Sequence, residues 1–315
     1  MGVTREPLDV IVIGAGPAGL TAALYAGRSL LSTLLIEKGL PGGQLNETDR
    51  IENWPGFEET VSAPKLMQSL RKQVERFGAK FLQDEVVRIE PGDRYRVVIT
   101  PRDSFKARTV ILSPGSRPKE LPAEGASRLK GRGVSYCATC DGFFFQGKRI
   151  VEVGAGDSGL TESLFLTRFA DSISIVVRHP EGSPKAIRGS AILRRRAEDD
   201  PKIRFLWNCV VEGVLGEDHV TGVRLRDVET NEERTLQTDG VFVNIGHDPQ
   251  TEFLRGTVTL DETGYVVTDE HLHTNVPGVF AAGDARVFAH RYAQGIVAAG
   301  EGAIAAIEAE KHIFG

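Results

Sequence analysis

Apolar and polar positions along this chain fall into one rhythm, stated twice. Leu8 to Ile13 is a short run rich in β-branched residues, suited to a buried strand, and it breaks at Gly14-Ala15-Gly16-Pro17-Ala18-Gly19 before an Ala-rich stretch from Leu20 to Arg28. A further apolar run, Thr33 to Ile36, ends in Glu37. The pattern predicts strand, glycine turn, helix, strand. It returns 140 positions on, as Arg149 to Val153, Gly154-Ala155-Gly156-Asp157-Ser158-Gly159, a helix through Phe169 and a strand from Ser172 to Val177. Between the two, residues 85–110 alternate apolar and polar positions around turn signals at Pro91-Gly92-Asp93 and Arg102-Asp103, which predicts a small antiparallel sheet. The segment Val210 to Leu236 matches it at the same offset in the second copy. A strand over Arg204 to Val211, a strand and turn over Asp239 to His247, and an apolar strand stopping at Gly283-Asp284 complete the pattern.

At 315 residues the chain exceeds one ordinary core, so two domains are expected, with one interrupting the other. The fold class expected is α/β: two Rossmann-like, three-layer ββα dinucleotide-binding domains, the second inserted into the first. Hydrophobic content of 41% with 26% charged residues is that of a globular protein, and a net charge of −5 gives no basic footprint for nucleic acid. Arg5, Glu6 and Asp9 precede the first apolar run, unlike a signal peptide, and no stretch reaches the roughly 18 apolar residues of a membrane helix. The expectation is a cytoplasmic protein with neither nucleic acid nor membrane as partner.

The glycine turns carry the binding chemistry. Gly14 permits a tight turn, Gly16 lets backbone approach a pyrophosphate, Gly19 allows close helix–strand packing, and the helix N-terminus offers N–H donors. Glu37, 18 positions after Gly19, is placed to accept from a ribose 2′-hydroxyl. In the second copy no carboxylate stands there; Val177-Arg178-His179 follows instead, and an arginine suits a 2′-phosphate, which favours NADP over NAD. The alternative is a unit that kept its fold without binding a nicotinamide nucleotide.

The sharpest chemical signal is Cys137-Ala138-Thr139-Cys140-Asp141. Cys-x-x-Cys spacing suits redox chemistry, in which one stabilised thiolate acts as nucleophile. Zinc would need four ligands, and the third Cys, Cys209, stands alone without a His pair at ligand spacing, so no metal is expected. Cys209 reads as a small buried hydrophobe. Asp141 is either a turn residue or a proton carrier for thiol–disulfide exchange.

These residues resemble low-molecular-weight thioredoxin reductases over nearly the whole chain. The matches include Gly14 to Gly19, Gly42-Gly43-Gln44-Leu45, Glu52-Asn53-Trp54-Pro55-Gly56, Gly131-Arg132-Gly133-Val134-Ser135, Cys137 to Phe144 and Gly278 to Asp284. The resemblance implies a homodimer with an FAD domain at 1–115 and 245–315 and an inserted NADPH-binding-like domain at 116–244 carrying the Cys pair. It places FAD against Gly14, Gly16, Pro17, Ala18, Gly19, Glu37, Lys38, Gly43, Gln44, Leu45, Asn53, Val86, Gly115, Gly283, Asp284, Gln294, Gly295 and Ile296. It places a pyridine nucleotide against Gly154, Gly156, Asp157, Ser158, Gly159, Arg178, His179 and Arg188. Cys140 would lie against the flavin, Cys137 would attack the disulfide of a thioredoxin-like protein, and Asp141 would be the acid–base group.

Three departures set the chain apart from that family, and the first and third bear on the electron donor. Val177-Arg178-His179 stands where the family has His-Arg-Arg, with Lys185 and Arg188 the nearest later cations; Gly159 replaces the usual Ala; and Ala293-Gln294-Gly295 stands where the family has Arg-Gln-Ala. Losing an Arg–phosphate contact weakens binding by about tenfold per 1.4 kcal/mol. Weak NADPH use is therefore expected, with a ferredoxin-like or unknown donor as the alternative. A flavin-containing redox sensor without turnover is the alternative from another class. A ferredoxin–NADP reductase on this scaffold would have no use for the Cys pair. At the C-terminus, Phe314 or His312 is a candidate to stack on an aromatic cofactor.

Overall fold

The computed structural model describes residues 6–47, 50–287 and 292–315. The chain forms two compact units, one of residues 1–117 and 248–315, the other of residues 118–247.

The first segment of unit one runs β1 (Leu8–Ile13), α1 (Pro17–Arg28), β2 (Thr33–Glu37), α2 (Ala63–Arg76), β3 (Lys80–Gln83), β4 (Arg88–Glu90), β5 (Arg96–Ile99) and β6 (Ser104–Leu112). The strand order is β3-β2-β1-β6-β5-β4. Strands β3, β2, β1 and β6 are parallel, whereas β4, β5 and β6 pair antiparallel. The antiparallel strands expected around residues 85–110 are thus no separate sheet: β6 serves both halves, being long enough to pair with β5 at Ser104–Ala107 and with β1 as far as Leu112.

Unit two comprises β7 (Val134–Ser135), α3 (Ala138–Asp141), β8 (Arg149–Val153), α4 (Asp157–Leu166), β9 (Ser172–Val176), α5 (Ala191–Asp199), β10 (Ile203–Leu206), β11 (Cys209–Leu215), β12 (Gly222–Asp227), β13 (Glu233–Gln237) and β14 (Gly240–Val243). Its parallel sheet has the order β7-β14-β8-β9-β10, and β11-β12-β13 form a separate antiparallel sheet. The strand expected over Arg204 to Val211 is broken: Asn208 adopts φ 55°, a left-handed conformation that Asn tolerates and a continuous strand does not. The helix expected through Phe169 stops at Leu166, where the Thr167 hydroxyl donates to the Leu164 carbonyl.

The chain returns to unit one with β15 (Val279–Ala281), parallel to β6, and α6 (Gly295–Phe314). Alternation along β1 divides its core between two faces. Val10 and Val12 pack with α1 and α6 residues such as Leu20, Ala22, Ala305 and Ala309, while Ile11 and Ile13 pack with Ile36, Ile89, Val98 and Val279. Unit two repeats the scheme, with Ile150 and Phe242 on one face of its parallel sheet and Val151 and Val243 on the other. No helix of the described residues is long and apolar enough to cross a membrane.

Candidate active site

In unit one the turn after β1 is forced by contact. Gly14 has φ +96°, and a Cβ there would lie 2.1 Å from the Ser113 carbonyl oxygen; one at Gly19 would lie 1.8 Å from the Gly14 oxygen. Gly16 differs, because the nearest atom to its Cβ position is 4.0 Å away, on Gly43. That open cradle stands at the first turn of α1, whose Gly16 N-cap supplies no side-chain cap and whose Pro17 opens the helix. Backbone N–H groups there are available to a phosphate, and a Cβ would fill the approach.

The predicted FAD residues gather around this turn. Glu37 Oε2 accepts from Ala15 N at 2.7 Å and Oε1 from Gly39 N at 2.7 Å, so the acid braces the glycine turn; a carboxylate keeps further lone pairs for a ribose hydroxyl. Lys38 approaches Glu85 at 3.9 Å, and Val86 is buried against Ile13 and Ile36. Gln44 Nε2 donates to Ser116 Oγ at 2.9 Å, just beyond Gly115, whose φ of +69° leaves open space where a Cβ would stand. Asn53 Nδ2 donates to Gln294 Oε1 at 2.8 Å, and a Cβ on Gly295 would meet Leu45 at 3.1 Å. Ile296 is part-exposed in the first turn of α6. Gly283 (φ +76°) packs against Ala18, and Glu301 Oε2 accepts from its N–H at 2.8 Å. Burial and the nearby Glu301 push the Asp284 carboxyl up to about 6.

His312 and Phe314 belong elsewhere, and the expectation of stacking on a cofactor is corrected. Arg108 Nη2 donates to the Ile313 carbonyl at 2.6 Å while its Nη1 approaches Asp9 Oδ1 at 3.7 Å, so the end of α6 lies at the start of β1, opposite its glycine turn. Helix α6 begins beside the turn and runs the length of the sheet away from it.

Unit two repeats the turn. Gly154 has φ +120° with a Cβ position 2.2 Å from the Asn244 oxygen, Gly159 is packed against Gly154, and Gly156 has nothing within 4 Å. The loop after β9 folds back onto it: Arg188 and Gly189 donate their N–H groups to the Ala155 carbonyl at 3.0 and 3.2 Å, and Ser190 donates to Asp157 Oδ1 at 2.8 Å. Arg178 and Arg188 are exposed, His179 is half-buried, Ser158 is exposed in the first turn of α4, and Lys185 is exposed on the same loop. Behind the turn lies a feature that the sequence pattern hid. Glu152, wholly buried in β8, accepts from Asn244 Nδ2 at 3.0 Å, and the same amide donates to Glu162 at 2.8 Å. Burial, then the Glu162 charge, push the Glu152 carboxyl well above the usual range, toward its neutral form.

Cys137 and Cys140 form a disulfide across α3, with Cα atoms 5.4 Å apart. Cys140 is exposed and Cys137 buried, and Cys140 N–H points at Cys137 Sγ at 3.1 Å. Asp141 Oδ2 accepts from the Ser135 hydroxyl at 2.6 Å, and that hydroxyl also accepts from Cys137 N–H at 3.1 Å. Ser135 is the residue of this cluster to which the sequence reading gave no role; its link to Asp141 spans six positions and leaves no local motif. Cys209 is buried, with its thiol on the Trp207 carbonyl. Among the described residues no cluster of three or more His, Cys, Asp or Glu is arranged to hold a metal.

Two glycine turns built for dinucleotides, with a Cys-x-x-Cys disulfide in one of the two units, define a dinucleotide-dependent disulfide oxidoreductase. The chain belongs to the pyridine nucleotide-disulphide oxidoreductase family, whose pattern matches residues 8–302. It is 45% identical over 308 residues to the thioredoxin reductase of Streptomyces clavuligerus, covering 97% of this chain and 94% of that one. The crystal structure of Lactococcus lactis thioredoxin reductase superposes with a TM-score of 0.92 at 39% identity, covering 98% and 99% of the two chains. The chain is thus an oxidoreductase of the thioredoxin-reductase type. A ferredoxin-flavin thioredoxin reductase from Clostridium acetobutylicum is more distant, at 26% identity and a TM-score of 0.52 over 98% of each chain. The ferredoxin and non-catalytic sensor alternatives are accordingly not favoured.

Proposed function

We propose that this chain is an NADPH-dependent thioredoxin-disulfide reductase, with FAD along the first glycine turn, NADPH against the second, and Cys137–Cys140 passing electron pairs to a thioredoxin-like protein. The observation that carries the reading is the Cys137–Cys140 disulfide with Asp141 held beside it, in the unit that also bears the second glycine turn. When bound, the flavin supplies the two-electron reduction of that disulfide. Cys140 is the thiol that faces the flavin, and Cys137 attacks the partner, because the Cys140 N–H directed at Cys137 Sγ favours a thiolate there. This role requires that Cys137, buried in the disulfide form, be uncovered when the partner engages.

Phe143 and Phe144, 64% and 74% exposed directly after the redox pair, offer the apolar surface a protein partner would cover. Arg178 and Arg188 present cations for the 2′-phosphate that distinguishes NADPH from NADH, and the bond to Ala155 keeps Arg188 beside the turn despite the altered motif. The reading carries with it a cytoplasmic homodimer.

The test is NADPH-driven reduction of thioredoxin by the flavin-loaded chain. Wild type should turn over; Cys137→Ser should bleach its flavin with NADPH yet reduce no thioredoxin; Cys140→Ser should leave thioredoxin disulfide-linked to Cys137. Turnover by Cys137→Ser would overturn the thiol roles, and flavin bleached by reduced ferredoxin but not by NADPH would overturn the donor.

A further inference from the structure

We propose that Ser135 is the positioning residue of the acid–base step, holding Asp141 in place in both of its protonation states; the inference rests on the dithiol-reductase reading above. Strand β7 buries Ser135 at 4% exposure, and its hydroxyl meets three groups. It accepts from Cys137 N–H at 3.1 Å, and it has Asp141 Oδ2 at 2.6 Å and the Cys137 carbonyl oxygen at 3.3 Å. A hydroxyl has a single proton to donate and two lone pairs with which to accept. With Asp141 ionised, the Ser135 proton goes to Oδ2. With Asp141 protonated, the carboxyl becomes the donor across the same short contact, and the Ser135 proton turns to the Cys137 carbonyl. Asp141 N–H bonds that same carbonyl at 3.2 Å, which ties the main chain of the acid to the main chain of the thiol. Either state leaves every group in this set paired, so the carboxyl can load and unload a proton without leaving its place.

The exchange asks for that change three times. The Cys137 thiolate attacks one sulfur of the partner disulfide; the Cys137–partner bond forms, the partner S–S bond breaks, and the departing sulfur takes the proton of Asp141. The Cys140 thiol then gives its proton to Asp141 and attacks Cys137 Sγ. The mixed disulfide breaks as Cys137–Cys140 re-forms, and the second partner sulfur takes the proton back from Asp141. Two protons, those of Cys140 and Asp141, end on the partner's two thiols; the enzyme dithiol loses two electrons and the partner gains two.

The experiment is a single-turnover reaction of the flavin-loaded full chain, its disulfide first reduced with dithiothreitol and the excess removed, with thioredoxin and separately with a small aromatic disulfide. Ser135→Ala is expected to slow the reaction by about tenfold or more, within the range of a displaced acid–base group. Ser135→Thr keeps the hydroxyl and should recover to within about threefold on the same scale. In an Asp141→Asn background Ser135→Ala should add less than about twofold, since residues that act as a unit are not additive. An equal loss in both backgrounds, or a Thr variant as slow as Ala, overturns the proposal. If Ser135→Ala does not fold, Ser135→Cys, close in size and a weak donor, replaces it, and an unchanged rate is then the overturning result. A wild type that reduces the small disulfide but not thioredoxin refutes the partner reading alone, and the small-disulfide arm still decides the role of Ser135.

Discussion

Glu37 and Asp284 both belong to the first dinucleotide turn, and their surroundings set them to different tasks. Glu37 is braced by the N–H groups of Ala15 and Gly39, whereas Asp284 sits half-buried beside Glu301, with its carboxyl raised from 3.8 to about 6. A carboxyl raised in the folded chain binds more protons folded than unfolded, so its contribution is fully present below pH 3.8 and is lost as pH rises through about 6. After discounting for residual water access, the loss is on the order of 1–3 kcal/mol. Urea unfolding across that window should show stability in wild type falling relative to Asp284→Asn as pH rises; parallel profiles would remove the assignment. At this scale the Cys pair and the glycines were legible in the sequence because spacing alone defines their chemistry. Ser135 and Glu152 were not, since Val-Ser-Tyr and Val-Glu-Val read as ordinary strand, and their roles depend on Asp141, Asn244 and Glu162, which only folding brings near.

The element that completes the first turn is the last helix. A Cβ on Gly302 would lie 2.0 Å from the Ala18 carbonyl oxygen, so α6 can press on the first turn of α1 only with glycine at that point. Ala22, Ala26, Ala305, Ala306 and Ala309 share this core, giving two helices whose small side chains allow close backbone approach. Gly302→Ala should lift α6 from α1 and destabilise by about 2–4 kcal/mol, with less flavin retained per chain. Denaturant midpoint and flavin absorbance check this, and a variant with wild-type values in both would refute it. Most elements were legible from period and glycine punctuation. The exceptions have local causes: Asn208 in the left-handed region splits one strand, and β6 joins the parallel and antiparallel halves of one sheet because its length serves partners on both sides. The course of α6 was not legible, because an Ala-rich helix carries no mark of its direction until Arg108 ties down Ile313.

At the scale of the molecule, each of the four apolar cores among the described residues lies within a single unit, two in residues 1–117 with 248–315 and two in residues 118–247. Calorimetry of the flavin-loaded protein should therefore resolve two transitions, and a nucleotide at about 100 times its Kd should raise the one belonging to its own unit by about 2.7 kcal/mol. A single transition that shifts as a whole with NADPH would contradict this. The closure of the inserted unit has a further consequence for the order in which the protein is made. Lys119 N–H bonds the Gly246 carbonyl at 2.9 Å, so once the insert has folded, its two ends are neighbours. A ribosome delivers the insert whole before α6 exists, and domains generally fold as they emerge. Left as loose chain, that span would impose a closure entropy of roughly 4 kcal/mol on joining the halves of unit one. Folded, it becomes a short clasp, and the two halves of unit one have little closure entropy left to lose when they join.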